Sequence, residues 1–363
     1  MKIIAFYLPQ FHRLEINDKT WGNGFTEWEN VKNAKSLYKN HVQPKIPYGN
    51  IYYDLEDTES IRWQCELASQ YGIYGFCFYH YWFNGKPVME KPIENLLKNP
   101  DIKINYCLSW ANESWYKRTG FKKELIQEQK NGDWREWKEH CRFLLPFMLD
   151  QRYIRIDGKA VLVIYRPELI GSLESMLFYI NKYMCEHGVG ELCYIYQYNR
   201  YSHLKDRGGG LFSYGIEYQP IYSKYKQMRA PSMIIKKAAN LLFAADMDNR
   251  GRFPLLSLDY DSTWKRILEH VPEDSRMLPG AFVNWDNTPR YGKRGSFYYN
   301  YSVEKFEKYL GQQIEHAQSV YKKDILFLFA WNEWGEGGYL EPDELEGYAR
   351  LEAVKRALER AAS

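Results

Sequence analysis

Short apolar segments alternate with longer amphipathic or polar ones along the chain, and eight of them have the length and composition of strands. They are Lys2–Tyr7, Ile73–Tyr81, Ile102–Trp110, Ala160–Tyr165, Leu192–Tyr196, Leu211–Tyr218, Gly280–Trp285 and Ile325–Trp331. Helical spacing appears between them, for example Phe306, Leu310, Ile314 and Ala317 before the last strand and Leu345, Tyr348, Leu351, Val354 and Leu358 after it. Strand and helix in steady alternation predict a parallel sheet with right-handed crossovers, and eight strands is the number that closes a barrel. The expected fold is therefore α/β, a single (β/α)8 TIM barrel with extended βα loops that fills residues 1–363. Proline and glycine are dispersed and there is no low-complexity stretch, which predicts one domain. The polar span 222–252 is the least regular and predicts an insertion between strands six and seven. Its helical-looking piece, Met233 to Ala245, is a candidate cover for the barrel mouth.

In a barrel of this kind the strand ends form the catalytic face, and here several strands end in residues too polar or aromatic to be filler. Tyr7 closes the first, His80 and Trp82 the second, Trp110, Asn112 and Glu113 the third, and Tyr165 the fourth. Glu217 lies near the end of the sixth, Trp285 and Asp286 at the seventh, and Trp331 and Asn332 at the eighth. These twelve are the candidate substrate contacts. Indole faces suit the C–H faces of pyranose rings, though rim tryptophans also serve as hydrophobic plugs, and histidines such as His12 and His80 are often hydrogen-bonded core residues.

The eighth strand runs straight into Trp331-Asn332-Glu333-Trp334-Gly335-Glu336-Gly337. A Glu-x-x-Glu pair usually marks a solvated helix face, but an apolar strand precedes this one and places both carboxylates where a strand ends. Two carboxyl groups at one glycosidic bond divide the labour: one gives a proton to the leaving oxygen while the other removes a proton or attacks the anomeric carbon. Glu333 and Glu336 are thus the candidate catalytic acids. Glu27, Glu90, Glu113 and Glu217 are further carboxylates beside aromatics; Glu113 and Glu217, near strand ends, read either as substrate contacts or as surface charges.

Composition narrows the partners. With 49 basic and 46 acidic side chains the net charge is +3, without the excess that nucleic acid or a membrane surface calls for. Aromatic content of 17% suits a carbohydrate cleft as well as a packed barrel. The six cysteines, without a CxxC pair, read as buried free thiols. The run Ile3 to Leu8 stops at Pro9-Gln10, too short for a signal peptide, and no stretch is long enough to span a bilayer, so the expected location is the cytoplasm. The histidines form no HxH or HExxH pattern, and no GxGxxG or Walker loop supplies a phosphate cradle. Asp246-Met247-Asp248 and Asp259-Tyr260-Asp261 have the Asp-x-Asp form of many nucleotide-sugar transferases, but an isolated triplet is not a preformed oxygen cluster. No metal and no cofactor are expected.

The chain resembles the WbsX-type proteins, commonly encoded among bacterial surface-polysaccharide genes and related to glycoside hydrolase family 99. The resemblance rests on Phe6-Tyr7-Leu8-Pro9-Gln10-Phe11-His12, Asn17-Asp18, Trp21-Gly22, Gly24-Phe25-Thr26-Glu27-Trp28 and Gly75-Phe76-Cys77-Phe78-Tyr79-His80-Tyr81-Trp82. It continues through Trp110-Ala111-Asn112-Glu113, Trp285-Asp286-Asn287-Thr288 and the Trp331 to Gly337 segment. It implies a barrel enzyme that cleaves α-mannosidic bonds with retention and without metal. In that reading Glu333 acts as base on the sugar 2-hydroxyl, giving a 1,2-anhydro intermediate, and Glu336 as acid and then base at the departing oxygen. Gly335 departs from the pattern, because family 99 commonly has histidine there.

Three functions stand at this point. The first is a retaining, metal-independent glycosidase or transglycosylase acting on a bacterial polysaccharide or its lipid-linked precursor. The others are a nucleotide-sugar-dependent glycosyltransferase and a non-catalytic carbohydrate-binding scaffold.

Overall fold

The computed structural model describes residues 1–119, 122–198, 210–223, 255–272 and 274–362. The barrel strands are β1 (Lys2–Tyr7), β2 (Ile73–Phe83), β3 (Asn105–Trp110), β4 (Lys159–Ile164), β5 (Leu192–Tyr198), β6 (Tyr214–Glu217), β7 (Met277–Leu278), β8 (Gly280–Phe282) and β9 (Ile325–Phe329). Each of β1 to β6 pairs in parallel with the next, and β1 also pairs with β9.

The closure runs through Pro279. β7 pairs with β6, and β8, one residue further on, pairs with β9. The two pieces are one barrel strand, expected as Gly280–Trp285, divided where proline has no N–H to give to the ladder. The Pro279 carbonyl still accepts from the Phe327 N–H at 3.1 Å. Gly280 is required by close approach, since a β-carbon there would lie 2.0 Å from the Glu217 carbonyl oxygen. β3 begins at Asn105 rather than Ile102 because a turn, with the Ile102 N–H on the Asn99 carbonyl, precedes it.

Helices pack around the sheet, and several of them start at side-chain caps. Asp57 accepts from the Glu59 and Ser60 N–H groups at the start of Thr58–Gln70, Asp133 caps Trp134–Leu149, and Ser302 caps Val303–His316. Phe306, Leu310, Ile314 and Ala317 are fully buried, as their spacing predicts. The final helix spans Ala349–Ala362, so Leu345 is not on its core face. That residue is 57% exposed in the Asp343–Gly347 turn, where the Asp343 carboxylate accepts from the Leu345 and Glu346 N–H groups.

Five cysteines are buried thiols, whereas Cys185, expected inside, is exposed. Among the described residues no helix is long and apolar enough to cross a membrane. Tyr222 and Ser223 are described; the rest of the expected insertion, with Met233 to Ala245 and the Asp246-Met247-Asp248 triplet, lies outside the described residues.

Candidate active site

β9 leaves the barrel into a hairpin that carries both candidate acids. Asn332–Glu333 pairs antiparallel with Gly338–Tyr339, and a single 3-10 turn, Trp334–Glu336, joins them. Gly337 closes the turn at φ 64°, and a β-carbon there would meet the Asp286 backbone nitrogen at 2.8 Å, so glycine is required twice over. The hairpin is pinned on both sides. The Asn332 side chain gives an N–H to the Leu8 carbonyl at 3.0 Å and accepts from the Leu8 N–H at 2.7 Å, while the Asp286 N–H donates to the Glu336 carbonyl at 2.7 Å.

One guanidinium gathers three carboxylates. Arg290 donates from Nε to Glu27 at 2.6 Å and from Nη2 to Glu333 at 3.0 Å, and its Nη1 lies 2.8 Å from Glu336. Asp286 supports this arrangement: its Oδ1 accepts from the Thr288 N–H and hydroxyl at the start of the short turn Thr288–Tyr291 that carries Arg290. Its Oδ2 takes His41 and Gln43, both at 2.8 Å. Burial alone would raise the Asp286 pKa, but these hydrogen bonds outweigh it and leave the group below its ordinary value.

Burial dominates at Glu333 and pushes its pKa up to about 8. Arg290 opposes the rise, and the neighbouring Glu336 and Glu27 charges reinforce it. Tyrosines surround the pair. Tyr79 and Tyr218 share a hydrogen bond of 2.8 Å between their hydroxyls, and burial followed by the Glu333 charge drives Tyr79 and Tyr81 well above the ordinary phenol value. Tyr218 is raised by burial and by Tyr79, Glu336 and Glu333. The site thus offers two acids on one hairpin, one of them holding a proton at neutral pH, with neutral phenol hydroxyls beside them.

Beneath the hairpin, Glu341 accepts from Trp334 Nε1 at 2.6 Å, from the Tyr53 hydroxyl at 2.8 Å and from Gln64 at 2.6 Å. Burial holds its pKa up at about 7 in spite of those donors. The network fixes the indole that lies between the two acids in sequence.

The family described as Glycosyltransferase WbsX matches residues 3–354. The chain belongs to the WbsX family. Uncharacterized proteins WxcX from two strains of Xanthomonas campestris pv. campestris are each 32% identical over 365 residues, covering 99% of this chain and 50% of theirs. This WbsX-family chain therefore spans about half the length of the curated relatives it matches. Among solved structures, the GH99 endo-alpha-mannosidase from Bacteroides thetaiotaomicron aligns with a TM-score of 0.57 at 12% identity, covering 99% of this chain and 97% of that one. A glycoside hydrolase-like protein aligns at 0.58 and 12%, covering 98% and 93%. At such identities the likeness establishes the fold alone, a (β/α)8 barrel.

The WbsX chain does not bring all twelve candidate contacts to the acid pair. Tyr165 lies beside Tyr79 and Tyr218, close enough for its charge to act on both. Asp286 and Asn332 serve as braces, since their polar groups are committed to the backbone and to neighbouring side chains as described. Asn112 is a brace too, exchanging hydrogen bonds of 2.8 Å with the Arg166 N–H and carbonyl, and Glu113 is ion-paired with Arg166.

Five other candidates face the helical layer. The Tyr7 hydroxyl donates to Gln64 of Thr58–Gln70 at 2.5 Å. His80 meets His140 at 2.8 Å between ring nitrogens, with burial lowering its pKa to about 3, and Trp82 and Trp110 pack on the same His140 ring. The Glu217 carboxylate takes the Tyr321 hydroxyl at 2.8 Å and pairs with His270 at 2.9 Å. Trp331 is completely buried against Phe76, and Trp285 is buried with Nε1 on the Ser296 hydroxyl. The first five are taken up by contacts with the helical layer, and the two tryptophans Trp331 and Trp285 are buried.

Sequence reasoning missed Arg290, Tyr79, Tyr81 and Tyr218, and noted Glu27 without a role. A signal existed for Arg290: two acids buried together call for a cation, and Arg290 stands four residues after Asp286, near the end of a barrel strand. The Asp259 and Asp261 carboxylates are engaged by the protein, the first with Ser262 and Asn300 and the second with Lys305 and Tyr309.

Proposed function

We propose that this chain is a retaining glycosidase or transglycosylase that acts without a metal on an α-mannoside-like linkage of a bacterial surface polysaccharide or its precursor. The observation that carries the reading is the gathering of Glu333 and Glu336 on one braced hairpin around a single guanidinium, inside the barrel shared with glycosidases.

In this reading Glu333 takes the proton of the sugar 2-hydroxyl, and the freed oxygen closes on the anomeric carbon. The bond to the departing oxygen breaks as Glu336 delivers its proton there. An acceptor hydroxyl, from water or another sugar, then gives its proton to Glu336 and opens the anhydro ring, while Glu333 returns its proton to the 2-oxygen. Two inversions give net retention. A carboxylate with a pKa near 8 is a stronger base than an ordinary one, which suits a poorly acidic hydroxyl, and the internal nucleophile gains effective concentration. Arg290 holds both acids in register and limits how far burial raises Glu333.

The test is calorimetry of the full chain against a manno-configured iminosugar, with nucleoside diphosphates titrated in parallel. Iminosugar binding with silent nucleotides is the expected result. Nucleotide binding with a silent iminosugar would replace this reading with a nucleotide-sugar-dependent form of the glycosyltransferase that the family's description names.

A further inference from the structure

Outside the acid pair, an open cleft of about 540 Å³ lies along the loop 22–25 and the helix Glu27–Lys32, within the size range of small-molecule sites. One wall is aromatic. Trp21, 38% exposed, stacks on Phe25 with ring centroids 5.2 Å apart and planes 23° from parallel. The other wall is amide. Asn23, Asn30 and Asn33 line it, with Pro289 closing the end.

The loop is held in shape without filling the cleft. Asp18 accepts from the Gly24 N–H at 2.7 Å and from Arg13 at 2.6 Å, and Arg13 also reaches the Asn23 oxygen at 2.5 Å. Asn30 and Asn33 donate to Glu27 and to the Glu29 carbonyl. Each amide therefore uses one end on the protein and keeps hydrogen-bonding capacity at the other: donor at Asn23, acceptor at Asn30 and Asn33. Among the described residues that line the cleft there is no lysine or arginine, while Glu29 adds an anionic group. An aromatic face beside mixed amide donors and acceptors, with the nearby Arg13 already paired to Asp18 and Glu29 on the wall, suits a neutral sugar better than phosphate or uronate.

The cleft also touches the catalytic framework. Asn30 holds the Glu27 oxygen that Arg290 does not use, and Pro289 precedes Arg290 in the chain. We propose that this cleft is an outer saccharide subsite taking one neutral pyranose unit of the glycan, beyond the units bound at Glu333 and Glu336. The choice of a saccharide rests on the function proposed above.

The full chain is titrated with an α-linked mannotetraose, a manno-configured iminosugar and uridine diphosphate while the Trp21 indole N–H is followed by NMR, its resonance assigned with Trp21→Ala. The tetraose is expected to shift that resonance and the iminosugar to leave it in place. Trp21→Ala should weaken the tetraose about tenfold and spare the iminosugar, with Trp21→Phe restoring much of the loss because it keeps a ring face. An unmoved resonance together with unchanged tetraose affinity in Trp21→Ala would overturn the subsite. So would a shift produced by uridine diphosphate. If the iminosugar fails to bind, the glycosidase reading falls, while a Trp21 shift with tetraose still supports the subsite.

Discussion

A β-carbon on Gly335 would lie 2.0 Å from Oε1 of Glu27, the same oxygen that receives Arg290 Nε. The backbone between the two acids therefore rests directly on the ion pair that orients them, and only glycine fits there. Glu27 is buried and tied to Arg290 and Asn30, so it has nowhere to retreat. Gly335→Ala should lower kcat/KM by about 100-fold, the cost of displacing catalytic groups by about 1 Å, with the chain still folded by circular dichroism. Activity within threefold of the parent would show that the Glu27–Arg290 contact does not set the geometry.

The pH profile separates the roles of the acids. With Glu333 as base, the active form is the ionised one, so kcat/KM should climb as pH rises through about 8. A descending limb there would make Glu333 the proton donor and exchange the two assignments. Glu333→Gln and Glu336→Gln should each abolish turnover while preserving sugar binding.

The same group governs stability in a sign opposite to most carboxylates. Its folded pKa lies above the ordinary 4.5, so the folded state holds the extra proton between about 4.5 and 8. Its contribution is therefore fully present below that window and is lost as pH rises through it, by on the order of a few kcal/mol. Urea titrations at pH 6 and pH 9 should show a fall that is smaller in Glu333→Gln.

Arg290→Met leaves three carboxylates facing one another without their shared cation. The expected destabilisation at pH 7.5 is about 3–5 kcal/mol, shrinking toward pH 5 as the acids take up protons. Equal loss at both pH values would mean that packing, not charge, is what the arginine supplies.

Glu217→Gln should act on the fold alone. It weakens the contacts with Tyr321 and His270 and should cost about 1–3 kcal/mol in urea unfolding, without changing iminosugar affinity. A drop in affinity with unchanged stability would return this residue to the sugar site.

Much of the barrel was legible because its strands are short and apolar: each of the eight segments contains a strand, and only the break at Pro279 needed the structure. The acid hairpin was legible because a strand runs into it. The contacts around it were read one position out of phase. Successive strand residues point to opposite faces, and the conspicuous Tyr7, His80, Trp82, Trp110 and Glu217 fall on the face toward the helices. Their neighbours Phe6, Tyr79, Tyr81 and Tyr218 are the ones near the acids or packed on one another: Phe6 lies 5.6 Å from Tyr79 and 5.1 Å from Tyr218 between ring centroids. Chemical prominence pointed to one face and strand parity to the other. Arg290 and Glu333 are 43 residues apart in the chain, so only the closed barrel joins them.

The acid hairpin is braced at Leu8 and at Asp286, by the ends of the first and seventh barrel strands. Among the described residues, both of these backbone anchors lie on chain that leaves those two strands. If the glycosidase proposed above is right, loops after the other strands are where selection or a laboratory library would exchange one glycan for another. Diversification of such a scaffold proceeds by changing what is held, and leaves alone what is done to it.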